Sequence, residues 1–380
     1  MFATFRAGAR GGDPTGDACR AGSDEPGPIR RNSMPEVKES PRVAVYGLGA
    51  MGLEIVRILY RRHARVVAGI VRPGSDKDGR DLGDLAGVPG LTFPARGDAS
   101  QALHEAAPDI VVVTVSTYLD DTQFGIFSTA VRAGAHVITL AEEMLYPFAT
   151  DNPLARELDT LAREHGVTVT GTGHQDAYWV NLISVLAGST HDLGGIEGRL
   201  AWNVDDFGPA LAEQQRVGTT TEDFSRWLAG TERPPSFTHY SLYALAAAVG
   251  LTPDGTAECV TEPVLAERDI HSKALGTTVR SGTLLGYTDT DTLRTKEGIT
   301  LSVSSQGKVY DEHETDYNEW RVTDGSGKPT LHLRNSDLST AHTTCASLVN
   351  RIPDVIAARP GIVTVDQLPQ LRYWTGLHLA

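Results

Sequence analysis

Three short stretches of the chain carry residue types and spacings suited to chemistry. A glycine-rich turn covers residues 47–52, two adjacent glutamates stand at Glu142 and Glu143, and a dense polar and aromatic stretch covers residues 174–181. Each stretch follows a run of residues that is typical of a buried strand. Phosphate binding, proton transfer and the wall of a pocket are the chemical roles that these residue types predict.

The glycine-rich turn has the spacing of a dinucleotide-binding motif. A β-branched run at 43–46 leads into Gly47, Gly49 and Gly52, and an apolar helix follows. Gly47 permits a tight turn, Gly49 lets backbone N–H groups approach a pyrophosphate, and Gly52 lets the helix pack against the sheet. The helix N-terminus then holds the anion, whereas the alternative is a turn that only ends a strand. The predicted cofactor-binding residues of the turn are Gly47, Leu48, Gly49, Ala50, Met51 and Gly52.

The end of the next predicted strand indicates which dinucleotide binds. NAD-selective sites carry an acidic side chain about 20 residues beyond the first glycine, where it binds the ribose 2′-OH. Here no carboxylate ends the strand, and Arg72, Ser75 and Lys77 offer groups that bind a 2′-phosphate. This favours NADP, while Asp76 keeps NAD open. Thr114, Ser116 and Thr117 end a third strand, where small hydroxyl residues border a nicotinamide or simply form a turn.

The glutamate pair follows a fourth predicted strand at the same edge of the sheet. A carboxylate beside a nicotinamide stabilises an iminium cation and moves protons to or from nitrogen, but it is poorly suited to stabilising an alkoxide. The pair therefore favours amine chemistry over alcohol chemistry. We predict that Glu142 and Glu143 include the catalytic carboxylate; the alternative is an acidic pair that opens a helix.

The stretch after the fifth predicted strand is expected to form a pocket wall. His174 is a candidate proton donor or substrate-binding residue, with a purely structural histidine as the alternative. Its neighbours combine amide, carboxylate and aromatic side chains, which suit a small-molecule site. The predicted substrate-binding residues are Gln175, Asp176, Tyr178, Trp179 and Asn181.

Alternating strands and helices must position these residues. The alternation predicts an α/β fold with a doubly wound parallel Rossmann sheet, and the segments beyond residue 190 predict a smaller α+β part with a mainly antiparallel sheet. A helix at 339–352, ended by Pro353, is expected to return to the first part. The predicted strands are 65–71, 109–115, 136–140, 167–170, 195–204, 277–285, 298–304 and 315–322, and the predicted helices are 99–106, 123–133, 153–165, 221–228 and 241–249.

The predicted domain organisation has four parts. Residues 1–40 contain few large apolar side chains and are expected to be a disordered extension, with Met34 as an alternative start. A Rossmann domain at 41–172, a substrate and dimerisation domain at 173–338 and a C-terminal tail at 339–380 follow.

Composition narrows the partners and the compartment. A formal net charge of −14 offers no basic surface for nucleic acid, and no apolar run reaches the roughly 18 residues of a membrane span. Cys19, Cys259 and Cys345 lack paired spacing, which fits a reducing compartment. The polar cluster at 311–314 lacks metal-binding spacing and is expected in a solvated turn. We expect a cytoplasmic protein with a small-molecule substrate and no metal.

Five segments of the chain together resemble the 2,4-diaminopentanoate dehydrogenases and related native amine dehydrogenases, distant relatives of dihydrodipicolinate reductase. In their order and spacing, the five segments cover nearly the whole chain from residue 42 to the end. The paired-histidine motif of the reductase of lysine biosynthesis has no counterpart here. The segments are VYGLGAMG at 45–52, GRDLGDL at 79–85, EEMLYP at 142–147, GVTVTGTG at 166–173 and VNRIPDVIAARPG at 349–361.

The resemblance implies NAD(P)H-dependent interconversion of an amine with a carbonyl and ammonia, at a site near a homodimer interface. It also implies a catalytic glutamate in the EEMLYP segment, which by position is Glu142. The chain departs from the family at 174–179, where HQDAYW replaces an Asn-Pro-Gly-Phe type loop. Two alternatives therefore stay open: a reductase of imines, oximes or hydrazones, and a non-catalytic NADP-sensing protein.

Overall fold

The computed structural model describes residues 37–38, 40–230, 233–375 and 378–379. The predicted disordered extension, 1–40, lies outside the described residues except for 37–38 and 40. Strands Val37–Lys38 and His378–Leu379 pair antiparallel. The remaining strands form two six-stranded sheets and one two-stranded hairpin.

The first six-stranded sheet is parallel throughout, as predicted for a Rossmann sheet. Its central strands are continuous apolar runs because helices cover both faces, and Val43, Val45 and Ile110 are fully buried. The strand order reverses between Arg42–Tyr46 and Ile110–Val113, which creates the crevice where doubly wound folds bind ligands. In spatial order the strands are Gly361–Ile362, Thr168–Gly171, His136–Thr139, Ile110–Val113, Arg42–Tyr46 and Arg65–Ile70.

Most helices of this half begin after capping residues that the sequence offers. Asp98, Asp120 and Asn152 each accept a backbone N–H bond of the following first turn, as N-cap residues do. The helices are Ala50–Arg61, Leu82–Ala86, Ala99–Ala106, Asp121–Arg132 and Pro153–Glu164, and short 3₁₀ turns form at Glu142–Leu145 and Pro147–Ala149.

The second sheet is mixed and mostly antiparallel, which confirms the predicted fold class. Its one parallel pair joins Gly195–Asn203 to Thr300–Lys308. Leu301, Val303 and Trp320 are buried in one hydrophobic core with residues of the helix Phe237–Val249, whereas Thr290, Ser304 and Arg199 stay at least partly exposed. In spatial order the strands are Pro329–Leu338, Asp316–Thr323, Gly195–Asn203, Thr300–Lys308, Leu284–Arg294 and Glu258–Leu265.

Several short elements surround the second sheet. They are the π-helix Asp176–Asn181, the helices Leu182–Ala187, Pro209–Gln214 and Thr221–Gly230, the 3₁₀ turns Val204–Asp206 and Val365–Gln367, and the hairpin of Ile270–Ser272 with Thr277–Val279.

The C-terminal helix is longer than predicted. It runs over Thr340–Ala357 and continues through Pro353, because Ile352 and Val355 are fully buried and their packing offsets the lost backbone bond. The helix shares a hydrophobic core with the helix Ala50–Arg61, and strand Gly361–Ile362 extends the Rossmann sheet. The boundary residues of the predicted domains stay predictions.

Two strand predictions need correction. Residues 277–285 are not one strand, because Gly282 adopts a left-handed φ of 85° in a turn that separates Thr277–Val279 from Leu284–Arg294. The edge strands Glu258–Leu265 and Pro329–Leu338 were not predicted. Most of their residues are exposed on both faces, so they lack the apolar alternation that indicates a strand.

A buried ion pair connects the C-terminal helix to the polar stretch after the fifth strand. Arg351 donates from Nε to Asp176 Oδ2 at 2.7 Å and from Nη2 to Asp176 Oδ1 at 2.8 Å. Both side chains are completely buried. Thr172 and Asn181 also donate to the Asp176 carboxylate, at 2.7 and 2.6 Å. The carboxylate is thus fully satisfied and holds three chain segments together.

Within the described ranges, no helix is long and apolar enough to cross a membrane.

We predict that Asp176→Ala lowers the free energy of unfolding by about 3–5 kcal/mol, because it removes the bidentate partner of the buried Arg351 guanidinium and leaves Asp354 as its remaining carboxylate contact. Urea denaturation followed by circular dichroism measures the change. Arg226→Ala, which removes an exposed ion pair with Asp223, is the control and is expected to cost less than about 1 kcal/mol. Equal losses in the two variants would contradict the structural role of the buried pair.

Candidate active site

A cavity of about 640 Å³ lies at the carboxyl edge of the Rossmann sheet, between that edge and the second half of the chain. It opens at the point where the strand order reverses, the place that doubly wound folds use for ligands. Polar groups line the side of the sheet, and aromatic rings line the opposite side. The site residues predicted from the sequence that line this cavity are Met51, Thr114, Ser116, Thr117, Glu142, His174, Gln175 and Trp179.

The glycine turn has the shape that a pyrophosphate requires. Gly47 has a φ of 99°, and a Cβ on Gly52 would lie 1.8 Å from the Gly47 carbonyl oxygen. A Cβ on Gly49, in contrast, would meet nothing within 4 Å. The helix that begins at Ala50 has no side-chain cap and no acidic residue in its first turn. Its first N–H groups are therefore available for an anion, and the turn fits the dinucleotide.

The predicted 2′-phosphate residues lie on a loop beside this turn. Lys77 Nζ donates to the Leu48 carbonyl oxygen at 2.6 Å, which places the ammonium next to the glycines. The Ser75 hydroxyl donates to Asp76 Oδ1 at 3.4 Å. Arg72 is exposed, and no hydrogen bond to another described residue occupies its guanidinium.

The three hydroxyl residues after the third strand border the cavity in different ways. The Thr114 hydroxyl donates to the Gly47 carbonyl oxygen at 2.7 Å and so supports the glycine turn. Ser116 accepts from the Tyr118 backbone N–H at 3.3 Å. Thr117 accepts the Glu143 N–H through its backbone carbonyl, 3.2 Å away. All three residues line the cavity.

Glu142 is the member of the glutamate pair that lines the cavity. Its Oε1 accepts a hydrogen bond from Gln175 Nε2 at 3.1 Å. Burial raises the pKa of Glu142 to about 7, and the bond from Gln175 offsets part of that rise. Both protonation states are therefore populated near neutral pH, as a group that exchanges protons requires.

Glu143, the second member of the pair, makes its hydrogen bonds outside the cavity. It is 4% exposed, and its Oε2 accepts from the Leu119 N–H at 2.8 Å while Oε1 accepts from Asn152 Nδ2 at 2.7 Å. Both oxygens point away from the cavity into the loops that surround it. The structure therefore assigns Glu143 to holding those loops, because its hydrogen-bonding capacity is used there.

His174 lines the cavity but is not placed as a proton donor. The Trp179 indole N–H can only donate, and it donates to Asn318 Oδ1 at 2.8 Å, which identifies that atom as the amide oxygen. His174 Nε2, 3.1 Å from the same oxygen, must therefore carry a hydrogen and donate to it. Nδ1 then accepts from the Thr343 hydroxyl at 2.7 Å. Burial lowers the pKa of His174 to about 4. Its neutral ring, stacked on Tyr178 at 4.4 Å, is a fixed part of the wall.

The predicted substrate residues divide into two groups. Gln175 and Trp179 line the cavity, and Tyr178 supports the wall by stacking on His174. Asp176 and Asn181 lie elsewhere: the Asp176 carboxylate accepts from Arg351 and Thr172, and Asn181 Nδ2 donates to it. Neither residue lines the cavity, because the π-helix turns their side chains toward the C-terminal helix.

Sequence reasoning missed the residues that the second half contributes. Among the lining residues of this half are Trp202, Phe237, Tyr287 and Asp289, and Tyr118 of the first half was missed as well. Tyr287 and Asp289 are buried on the inner face of the strand Leu284–Arg294. The signal that could have indicated Asp289 is a carboxylate on the buried face of an alternating strand, because such a position is normally apolar.

A second cavity of about 390 Å³ adjoins the first and shares Tyr118, Tyr287 and Asp289 with it. Arg233 lies 3.8 Å from Asp289, and Asp291 accepts hydrogen bonds from Ser236 and Thr238.

The part of the chain that the structure describes contains no group of three His, Cys, Asp or Glu residues arranged to hold a metal ion. In the cluster at 311–314, Asp311 pairs with Arg268 and Glu314 with Lys308.

An open glycine turn and a carboxylate of raised pKa at one sheet edge define a dehydrogenase of the dinucleotide-binding type. Comparisons with known proteins specify the family. The sequence profile of the 2,4-diaminopentanoate dehydrogenase C-terminal domain matches residues 179–378, and that of the dihydrodipicolinate reductase N-terminus matches residues 41–137. The chain belongs to the 2,4-diaminopentanoate dehydrogenase family, which confirms the predicted resemblance.

Individual relatives agree with this assignment. The chain is 28% identical to the 2,4-diaminopentanoate dehydrogenase of Acetoanaerobium sticklandii, over 87% of this chain and 94% of that protein. The solved amine dehydrogenase of Mycobacterium smegmatis is 43% identical, with a TM-score of 0.83 over 89% of this chain and 98% of its own. A probable dehydrogenase from Thermotoga maritima, 15% identical with a TM-score of 0.54 over 86% and 92%, shares the fold. The predicted class, a nicotinamide-dependent oxidoreductase acting on carbon–nitrogen bonds, is confirmed.

We predict that Gly49→Ala weakens cofactor binding by about tenfold or more, because its methyl group occupies the space that the pyrophosphate approaches. Titration calorimetry with NADPH measures the dissociation constant. Gly125→Ala, also in open space but on the helix Asp121–Arg132, should bind NADPH like the wild type. Unchanged binding in Gly49→Ala would mean that the turn does not hold the pyrophosphate.

Proposed function

We propose that this protein is an NADP-dependent amine dehydrogenase that interconverts a small amine with the corresponding carbonyl compound and ammonia. The observation that carries the proposal is the position of Glu142. Its carboxylate faces a cavity with aromatic walls at the sheet edge, directly beyond the glycine turn. The named relatives, an amine dehydrogenase and a 2,4-diaminopentanoate dehydrogenase, support it.

The cofactor, when bound, supplies or accepts the hydride. The chain's own residues would hold it through the first N–H groups of the helix Ala50–Arg61 and through the exposed loop beyond the second strand. Arg72, Ser75 and Lys77 offer donors to a 2′-phosphate, which supports NADP over NAD.

Glu142 handles protons at the substrate nitrogen. In the oxidative direction it takes a proton from the substrate ammonium, and the neutral amine can then react at carbon. Once Glu142 has passed that proton to solvent, its restored carboxylate stabilises the iminium cation that forms when the substrate carbon is oxidised. The field of this carboxylate strengthens where the rings of Trp179, Trp202 and Phe237 exclude water. An alkoxide in the same place would be repelled. The site therefore suits amines better than alcohols.

The alternative is reduction of a preformed imine, oxime or hydrazone. The His174–Trp179 stretch keeps this open, because it differs from the loop usual in the family. An imine reductase needs no ammonium, whereas reductive amination requires it. A non-catalytic NADP-sensing protein would not need a cavity-lining carboxyl group whose pKa is raised toward neutral pH.

We also propose that the enzyme works in the cytoplasm as a homodimer. The unpaired thiols of Cys259 and Cys345 suit a reducing compartment. The partly exposed hydroxyl residues on the outer face of the second sheet, such as Thr290 and Ser304, leave a broad surface for a second copy.

We predict that Glu142→Gln lowers kcat for amine oxidation by about 100-fold or more, while the NADP dissociation constant stays close to the wild-type value. In the wild type kcat/KM should rise with pH through about 7, because only the carboxylate form accepts the proton; the variant should lose this rise. Glu164→Gln, on an exposed helix end, is the control. Wild-type turnover in Glu142→Gln would refute the proposed role.

We predict that Arg72→Ala raises KM for NADPH by about tenfold, because a charge-assisted bond to the 2′-phosphate is lost, and leaves KM for NADH nearly unchanged. Steady-state kinetics with both cofactors measure the ratio. Arg80→Ala, an exposed arginine of the same loop, serves as the control. Equal changes for the two cofactors would argue against a 2′-phosphate site at Arg72.

A further inference from the structure

The two oxygens of the Glu142 carboxylate are not equivalent. Oε1 accepts the hydrogen bond from Gln175 Nε2 at 3.1 Å, whereas no hydrogen bond from another described residue reaches Oε2. One oxygen is therefore anchored to the protein, and the other is left for the contents of the cavity.

Gln175 is held between two anchored neighbours. His174 is fixed on both ring nitrogens by Thr343 and Asn318, and Asp176 is fixed by Arg351. The backbone of Gln175 therefore has little freedom, although its own side chain is only partly buried and reaches the cavity wall.

Gly173 provides the room for the Gln175 amide. A Cβ at this position would lie 2.8 Å from Gln175 Oε1, closer than van der Waals contact permits. The glycine thus allows the amide to turn its Nε2 toward Glu142. Its role here is close approach of a side chain, which differs from that of the glycines in the dinucleotide turn.

We propose that Gln175 is a positioning residue that fixes Oε1 of Glu142 and so directs Oε2 to exchange the proton with the substrate nitrogen. The inference rests on the proposed function and adds to it the atom that exchanges the proton, Oε2 of Glu142. Gln175 was predicted to bind substrate; this proposal gives it a role through Glu142 instead.

The hydrogen bond also acts on the protonation equilibrium. An amide N–H donates to the charged carboxylate and favours that form, against the burial that disfavours it. Loss of the donor should therefore raise the pKa of Glu142, and the pH at which amine oxidation gains activity should rise with it.

Gln175→Met tests the proposal, because it keeps the length and volume of the side chain and removes the donor. Two readouts are needed: the pH profile of kcat/KM for amine oxidation, and the titration of the Glu142 carboxyl by ¹³C NMR in cofactor-free protein, assigned by its loss in Glu142→Gln. We expect both to move upward by about one pH unit, with a lower kcat at neutral pH.

The matched control is Gln101→Met. Gln101 Nε2 donates to Glu105 Oε1 at 2.7 Å on an exposed helix, so this variant removes the same kind of bond far from the cavity. Its profile should match that of the wild type. A second variant, Gln175→Glu, places a like charge beside Glu142 and should move the titration further in the same direction.

An unmoved titration and an unmoved pH profile in Gln175→Met would overturn the inference, whatever the activity of that variant. The proposed function fails separately, through wild-type turnover in Glu142→Gln. The NMR titration needs no turnover, so it tests the hydrogen bond even if the substrate assignment is wrong.

Discussion

The buried pair of Arg351 and Asp176 is the interaction on which the active-site wall depends. Two charges are costly to bury, and they are tolerated here because every oxygen of the carboxylate has a donor. The pair joins residues 175 positions apart in the chain. It fixes the π-helix against the C-terminal helix, and the residue immediately before Asp176 is the one that contacts Glu142. A charge pair with no chemical role thereby sets the geometry of the chemical group.

Anchoring and reacting residues alternate along the chain at this site. Glu143 holds the surrounding loops while Glu142 faces the cavity, and His174 and Asp176 are anchored while Gln175 between them reaches the carboxylate. Each functional group thus sits next to a neighbour whose polar side-chain atoms are hydrogen-bonded. Such support keeps a site within the narrow geometry that catalysis needs.

The sequence predicted the first half of the fold well, because its strands are continuous apolar runs between capped helices and its glycines follow a known spacing. It also located the glutamate pair at the sheet edge. The family resemblance favoured Glu142 over Glu143, but the residue pattern alone could not separate them, since the difference lies in the Leu119 N–H and the Asn152 amide, which are near only after folding. The same holds for Asp176, whose partner is on the last helix, and for Tyr287 and Asp289, which join the cavity through the second sheet.

The central claim is that the Glu142 carboxylate transfers protons to and from a substrate nitrogen. The most direct test is single-turnover oxidation of enzyme-bound NADPH, followed by its absorbance, with a panel of simple ketones and aldehydes in the presence and absence of ammonium. The account predicts oxidation only when carbonyl and ammonium are both present, at a rate that rises with ammonium concentration until it saturates. Oxidation by a carbonyl compound alone, at a rate that ammonium does not change, would contradict it.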